Sequence, residues 1–325
     1  MNEGYIQNLR YKLQKRVRRL NSIEFEMFHV SLKQFWGFLN NYEVIGGIIE
    51  DLCRRYPQLE EEAEKLINQQ GAQVFENELE NAAFSYFVIK KCVESADQDV
   101  VIHCSFAYKR DFDGSIETFR SLFLEPFYEY IDEQLDDQKA ILALLRRYKH
   151  KCEWFQRDRL YKLWKDDTQR GEKHLALDLY EYLHDQGLDF TIEPWSISGK
   201  ADLVSAQKGE EPLIADAKIF NPESSKGKDY ISKGFNQLYQ YTLDYNETFG
   251  YLIIFKTCDN DIKFALTNQE QSTPFIIHNN KTIFLITIDI FPHQEPASKR
   301  GVLKPLEISE NDLIQIDKQE NLGNY

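Results

Sequence analysis

Gly199-Lys200-Ala201-Asp202 and Leu213-Ile214-Ala215-Asp216-Ala217-Lys218 are two short runs that indicate a β-sheet. We interpret them as parts of two adjacent β-strands, because short apolar runs bounded by turn residues are typical of strands. In the second strand, Asp216 and Lys218 lie two residues apart, so their side chains are predicted to point to the same face of a sheet. Asp202 is predicted to join them from the preceding strand. The pattern therefore predicts two carboxylates and an ammonium group at one place.

This combination is suited to the hydrolysis of a phosphodiester. Mg²⁺ prefers oxygen ligands, and we expect Asp202 and Asp216 to bind it, with the carbonyl of Ala217 as a neutral third ligand. Mn²⁺ is an alternative ion at the same ligands. A bound metal lowers the pKa of water, and Lys218 would stabilise negative charge that develops on the phosphate. The alternative interpretation is structural: the two aspartates form salt bridges with Lys218 and bind nothing.

Other candidate residues come from the flanking segments. An amphipathic helix is predicted from Glu172 to Gln186, and Glu172 at its start is a candidate for an additional metal ligand or water contact. Glu193 is the alternative for that position, and a macrodipole-stabilised helix terminus is the alternative role for Glu172. A second helix is predicted over residues 228–245, where Gln237 and Tyr241 are one turn apart and share a face. They are candidates to position Lys218, the water or the phosphate, and the alternative is a surface glutamine and a core tyrosine.

The remaining elements complete a fold class. Strands are predicted at Phe190–Glu193, Lys200–Ala206, Leu213–Ile219, Phe249–Phe255 and Thr282–Ile290. Strands interleaved with helices in this order predict an α/β domain with a mixed sheet flanked by helices.

The N-terminal half differs in character. Apolar residues recur at spacings of three and four, which predicts helices over most of residues 5–150. A short β-branched run, Val100–Phe106, is predicted as a strand, and Gly46-Gly47 is a predicted helix break. The sequence therefore predicts a mostly α-helical partner-binding or regulatory domain at 1–150, and a second domain at 151–325.

The motif residues together resemble the PD-(D/E)XK nuclease superfamily. The similarity is carried, over roughly a quarter of the chain, by Glu172, Gly199-Lys200-Ala201-Asp202, Asp216-Ala217-Lys218 and Gln237-x-x-x-Tyr241. The last motif is similar to the helix of the RecB-like and Cas4-like branch. Ala201 stands where the literal motif has proline. The resemblance implies a restriction-endonuclease-like fold and a Mg²⁺-dependent (endo)deoxyribonuclease, with RNA as an alternative substrate.

The resemblance also implies a biological setting. It favours a bacterial anti-phage defence effector that acts with a partner protein such as an ATPase, and self-association is open. No Walker motif is present in the sequence, so an ATPase would be a separate chain. The competing hypothesis is a non-catalytic scaffold or interaction subunit that keeps the nuclease fold.

Charge bears on the expected partner. The 325-residue chain has a net charge of −14, which opposes nucleic-acid binding over its whole surface. Residues 10–19 and 146–165 are strongly basic, however, and could form a DNA-binding surface or two solvated helix faces. Lys226 and Lys228, in a predicted loop, could hold a phosphate or simply lie in solvent.

Localisation follows from what the sequence contains. It has no apolar run of transmembrane length and no apolar segment after a basic start, and its five cysteines are dispersed. These features predict a cytoplasmic protein with reduced thiols and no membrane partner.

Overall fold

The computed structural model describes residues 5–67, 75, 77–105, 111–186, 203–205, 213–267, 273–293 and 305–314. The chain divides into two compact units, Met1–Lys139 and Ala140–Tyr325. This division falls within one long helix, Glu125–Phe155. The functional boundary expected near residue 150 stays a prediction. No helix in the described part of the chain is both long enough and apolar enough to cross a membrane.

The described part of the first unit is helical, as the apolar spacing predicts. In α1 the buried residues recur every three or four positions, from Ile6 and Leu9 to Leu20, so one stripe of the helix faces the core. The helices are α1 (Tyr5–Asn21), α2 (Phe25–Asn40), α3 (Glu43–Arg55), α4 (Leu59–Ile67), α5 (Glu78–Glu94), α6 (Val100–Ser105), α7 (Phe112–Phe119), a π-helical turn (Arg120–Leu124) and the first part of α8 (Glu125–Phe155).

Two predictions in this unit are wrong. Val100–Ser105 is helix α6 and not a strand: the backbone N–H of His103 bonds to the carbonyl of Asp99 at 2.9 Å. Five of its six residues are buried, so tertiary packing overrides the weak β preference of the valines. Gly46-Gly47 does not break α3 either, since the N–H of Gly46 bonds to the carbonyl of Tyr42 at 3.0 Å.

The second unit carries the sheet. Its described helices are the remainder of α8, α9 (Arg157–Asp166), α10 (Gly171–Asp185), α11 (Lys228–Asp244) and α12 (Glu310–Ile314), with a 3₁₀ turn at Pro222–Ser224. Its described strands are β1 (Leu203–Ser205), β2 (Leu213–Phe220), β3 (Phe249–Lys256), β4 (Ile262–Ala265), β5 (Phe275–His278), β6 (Lys281–Asp289) and β7 (Leu306–Ser309).

The main sheet has the strand order β1-β2-β3-β6-β5. The three central strands β2, β3 and β6 are parallel, whereas β1 and β5 pair antiparallel with their neighbours. Strands β4 and β7 form a separate parallel pair. The prediction of an α/β architecture with a mixed sheet flanked by helices is confirmed. Strand β3 is buried along its whole length and β2 from its second residue, as expected for parallel strands covered on both faces.

The register of β2 places the candidate residues. Asp216 is paired with Leu252 of β3 and Lys218 with Ile254. Because side chains alternate along a strand, Ile214, Asp216, Lys218 and Phe220 share one face. Ile214 and Phe220 belong to the hydrophobic core that includes Ile231, Phe235 and Leu238 of α11. The two charged residues are therefore set between apolar neighbours beneath this helix.

Candidate active site

Asp216 and Lys218 form the centre of the candidate site. The ammonium nitrogen of Lys218 lies 2.7 Å from a carboxylate oxygen of Asp216. Asp216 is 1 % exposed and Lys218 is 9 % exposed. A charge pair of this kind loses hydration when it is buried, and an apolar pair of the same size would often be at least as stable. The pair thus invites a functional explanation.

Gly234 of α11 makes room for Lys218. A β-carbon at position 234 would lie 2.7 Å from Cγ and 2.8 Å from Cε of Lys218. Real β-carbons do not approach other carbon atoms so closely, so the helix can cross the lysine only because residue 234 has no side chain. The close approach fixes the path of the aliphatic chain from β2 to its ammonium group.

Glu172 reaches this pair from the start of α10. One of its carboxylate oxygens lies 3.9 Å from the Lys218 ammonium nitrogen, and the other accepts a hydrogen bond from the backbone N–H of Ile219 at 3.0 Å. The described part of β1 pairs with β2 only as far as Ala215, so Glu172 satisfies a backbone donor beyond that pairing. Glu172 is a site residue predicted from the sequence, and the structure brings it to Asp216 and Lys218.

The position of Glu172 depends on its neighbour. Gly171 begins α10 against Trp164 of α9, and a β-carbon at 171 would lie 2.9 Å from the backbone oxygen of Trp164. Because backbone cannot yield as a flexible side chain can, this contact requires glycine. It sets the point at which the helix starts and hence where Glu172 projects.

Two further residues surround Glu172. The hydroxyl of Tyr230 donates to the Glu172 carboxylate, at 2.8 and 2.7 Å from its two oxygens. Burial raises the pKa of the Tyr230 hydroxyl, and the hydrogen bond to Glu172 and the negative charges of Glu172 and Asp216 raise it further. Tyr230 therefore stays protonated and acts as a donor. Lys226, whose ammonium nitrogen lies 3.9 Å from Glu172 and 5.3 Å from the centre of the Tyr230 ring, adds a second cation.

The sequence predicts Lys226 as a candidate phosphate-binding residue, but sequence reasoning misses Tyr230 and Gly234. All three belong to α11 or the loop before it. For Tyr230 and Gly234 the only signal in the sequence is their spacing: they are four residues apart and hence share a helix face. Lys228 has a different place, because its ammonium nitrogen pairs with Asp312 at 2.6 Å.

Some of the other predicted site residues lie on α11 or β2, and others lie outside the described residues. Gln237 and Tyr241 lie on α11, and the amide of Gln237 donates to the Tyr241 hydroxyl at 2.8 Å. The two side chains share a face of the helix, and their role at the site stays a prediction. Gln237 follows Gly234 by three residues, on the same side of the helix. Ala217 lies in β2 between Asp216 and Lys218. Asp202 and Glu193 lie outside the described residues.

The described side chains near Lys218 include possible metal ligands. Within the residues that the structure describes, no group of three or more His, Cys, Asp or Glu side chains is arranged to hold a metal ion. Asp216 and Glu172 supply two carboxylates beside one ammonium group. Oxygen donors of this type fit Mg²⁺ or Mn²⁺ and not a soft metal. Mg²⁺ is commonly held by one or two carboxylates and several waters, and a further carboxylate from Asp202 stays a prediction.

A second charged cluster lies at the carboxyl ends of β3 and β6. Lys256, 3 % exposed, lies 2.7 Å from Asp261 and 3.3 Å from Asp289, and His293 lies 2.8 Å from Asp289. Burial alone would raise the pKa of Asp289, but the His293 hydrogen bond and the Lys256 charge outweigh it and lower that pKa. No motif in the sequence indicates this cluster, because its members are joined by sheet register. Asp289 and Lys256 of this cluster can therefore serve as a control charge pair when Asp216 and Lys218 are mutated.

Several cationic side chains of the basic segment 146–165 form hydrogen bonds or ion pairs within the second unit. Arg146 donates to Thr273 at 3.0 Å, Lys149 pairs with Glu153 at 2.6 Å, and Arg157 donates to the carbonyl of Phe291 at 3.1 Å. These contacts favour the structural interpretation of this segment over a DNA-binding surface.

Comparison of the chain with protein-family models, with curated proteins and with solved structures finds no match.

Proposed function

We propose that this protein is a metal-dependent nuclease that hydrolyses phosphodiester bonds of DNA. One observation carries the proposal: a buried aspartate and a buried lysine, 2.7 Å apart on a central strand, are met by a glutamate from the start of a neighbouring helix. Two carboxylates and a cation, placed together by β2 and α10 of an α/β unit, are suited to activating water and neutralising a phosphate. The resemblance of the motifs to PD-(D/E)XK nucleases supports the same function.

Each described residue has a role in this proposal. Asp216 would hold a divalent cation, and Lys218 would donate hydrogen bonds to a non-bridging phosphate oxygen as negative charge develops there. Glu172, oriented by Tyr230 and the N–H of Ile219, positions the attacking water or completes the ligand set. When bound, Mg²⁺ or Mn²⁺ would supply charge neutralisation and a lowered pKa for water. Gln237 and Tyr241 would orient the phosphate from α11.

The further carboxylate is assigned to Asp202 as part of the proposal. Leu203, the first described residue of β1, is paired with Ala215, and Ala215 directly precedes Asp216. Asp202 directly precedes Leu203 in the sequence. We therefore propose Asp202 as the acid that complements Asp216, with the Ala217 carbonyl as the neutral ligand.

A second candidate function has its own supporting observation. Glu172 accepts from Tyr230 and from Ile219, and Asp216 already pairs with Lys218. A cluster satisfied in this way could serve only to hold α10 and α11 on β2. The alternative function is therefore a non-catalytic scaffold or interaction subunit with a nuclease-like fold.

The wider setting stays a proposal that rests on the resemblance. It comprises a prokaryotic defence role, a partner ATPase, self-association, and DNA in preference to RNA. None of these rests on the site geometry.

Nicking of supercoiled plasmid by the full chain, with Mg²⁺, with Mn²⁺ and with EDTA, tests the function. Asp216→Asn keeps the side-chain shape, and we expect it to abolish cleavage and to weaken metal binding in calorimetry. Lys218→Met should retain metal binding while cleavage falls by about 100- to 1000-fold. The matched controls are Asp289→Asn and Lys256→Met, which alter the second buried charge pair and should leave cleavage near the parent rate.

Two results contradict the nuclease proposal. Parental cleavage by Asp216→Asn would place the chemistry elsewhere. A folded parent chain that neither binds metal nor cleaves DNA or RNA would favour the scaffold function.

A further inference from the structure

A cleft between α1 and α2 in the helical unit is a large feature that the proposed nuclease site does not use. This cleft is open to solvent on one side and has a volume of about 780 Å³, within the range of roughly 300–1,000 Å³ that small-molecule sites occupy. Three cationic side chains line it, namely Lys15, Arg16 and Arg19. No described residue that lines the cleft carries a carboxylate.

The charge of this cleft contrasts with that of the chain. The net charge of the protein is −14, and Arg10, earlier on the same helix, is neutralised by Asp132 at 2.8 Å and by Asp136. Among the described residues, by contrast, no carboxylate forms an ion pair with the cations of the cleft. Arg16 instead donates to the carbonyl of Lys12 at 3.0 Å. The cleft therefore concentrates positive charge.

Aromatic side chains form one wall of the cleft. The Arg16 guanidinium carbon lies 3.9 Å from the centre of the Phe38 ring, so the two groups stack. Phe35 and Phe38 are 2 % and 5 % exposed and are fixed by the core. Tyr42 also lines the cleft and is half-buried, with the Lys12 ammonium nitrogen 5.3 Å from the centre of its ring. The stacked guanidinium of Arg16 provides a flat surface on which a planar base can lie.

Gly37 borders open space in the cleft. It lies within α2 and lines the cleft, and a β-carbon at this position would meet no atom within 4 Å. A glycine inside a helix is less favourable than alanine by roughly 0.5–1 kcal/mol. Nothing in the packing of the described chain requires glycine here, and a larger side chain at this position would extend into the cleft.

We propose that the α1–α2 cleft binds a free nucleotide with two or three phosphates, a function separate from phosphodiester cleavage. Lys15 and Arg19 hold the phosphates through charge-assisted hydrogen bonds, and the base stacks on the face of the Arg16 guanidinium that Phe38 does not cover. The volume lies in the range of small-molecule sites, which favours a free nucleotide, although a short oligonucleotide would present the same chemistry. The site uses none of the residues of the candidate active site, so a nucleotide could act here as a signal while the nuclease site acts on its substrate.

Binding of ATP, pyrophosphate and the hexanucleotide dT6 to the full chain, measured in EDTA, tests this proposal. EDTA prevents metal-dependent cleavage, so the result does not depend on the nuclease function. We expect ATP to bind more tightly than pyrophosphate, because pyrophosphate lacks the base. The variant Lys15→Gln/Arg19→Gln should weaken ATP binding by about tenfold or more, since each cation contributes a charged hydrogen bond.

A control with the same change in net charge separates a local site from general electrostatics. Arg18→Gln/Lys33→Gln removes two exposed cations of α1 and α2 that do not line the cleft, and ATP binding should change less than twofold. Gly37→Trp should abolish ATP binding by filling the cleft, whereas Gly37→Ala should raise the unfolding temperature and leave much of the binding intact.

Three results would overturn the proposal. One is a parent chain that does not bind ATP, and another is equal weakening by the cleft variant and its control. The third is tighter binding of dT6 than of ATP, which would assign the cleft to a strand.

Discussion

Replacing Gly234 by alanine places a methyl group against Lys218 and therefore tests how α11 positions the candidate site. The added carbon would lie 2.7 Å from Cγ and 2.8 Å from Cε of that lysine, although van der Waals contact needs separations near 3.5 Å or more. The lysine is buried and cannot swing into solvent, so either its chain or the helix must shift. Overpacking of this kind costs about 1–3 kcal/mol of unfolding free energy.

The opposing effect is helix propensity. Alanine ordinarily stabilises a helix interior by about 0.5–1 kcal/mol relative to glycine. In the parent chain the strain should outweigh this gain, so Gly234→Ala should lower the unfolding free energy. In a Lys218→Ala background the clash is gone, and the same substitution should raise it. The difference, an interaction energy of about 1–3 kcal/mol, is measurable by urea unfolding of the four chains in the cycle.

Two controls identify the physical cause. Lys218→Met removes the ammonium but keeps atoms at the positions of Cγ, Cδ and Cε, so Gly234→Ala should still destabilise that chain. Gly37→Ala, where the new carbon meets nothing within 4 Å, should simply stabilise. Cleavage by Gly234→Ala should also fall, because displacement of a catalytic group by about 1 Å can cost on the order of 100-fold in rate. Equal effects of Gly234→Ala on stability with and without Lys218 would refute the steric argument.

Two further predictions concern the second unit. The hydrogen bond from Lys228, followed by those from Ser309, lowers the pKa of Asp312 from 3.8 to about 2. A carboxylate with a lowered folded-state pKa stabilises the fold above its unfolded pKa and loses that effect as pH falls through the folded value. Asp312→Asn should therefore reduce the unfolding free energy at pH 7 by about 1 kcal/mol, a figure discounted for solvent screening. The deficit should shrink as the pH falls from the ordinary aspartate pKa of 3.8 to about 2, and a deficit that is unchanged with pH would contradict the assignment. Separately, a fragment of residues 140–325 should fold more stably than one of residues 150–325, because the shorter fragment lacks Tyr148, which is fully buried and bonds to Asp178 at 2.9 Å. Removal of so large a buried side chain typically costs about 3 kcal/mol or more of unfolding free energy. Thermal unfolding of both fragments, followed by circular dichroism, measures the difference. Equal unfolding temperatures would contradict the stabilising role of Tyr148.

The local pattern of the sequence determined much of the second unit. The stripe of α10, the helix α11 and the apolar runs of β2, β3 and β6 were all predictable, because each is long and strongly patterned. The two-residue spacing of Asp216 and Lys218 is enough to place them on one face, since strand geometry fixes that alternation. The helical nature of the first unit followed from the same kind of periodicity.

Other features of the fold and of the candidate site depend on tertiary contacts. Val100–Ser105 became a helix because packing overrides a weak β preference, and β4, β5, β7 and α12 were too short to give a periodic signal. The contacts of Glu172 with Ile219 and Tyr230 span 47 and 58 residues of sequence, and no local rule predicts such distances. The need for Gly234 arises only when α11 crosses β2, because sequence reveals a glycine but not what lies against it. Local sequence patterns reveal residue types and helix or strand preference, but they do not reveal which distant segments come into contact.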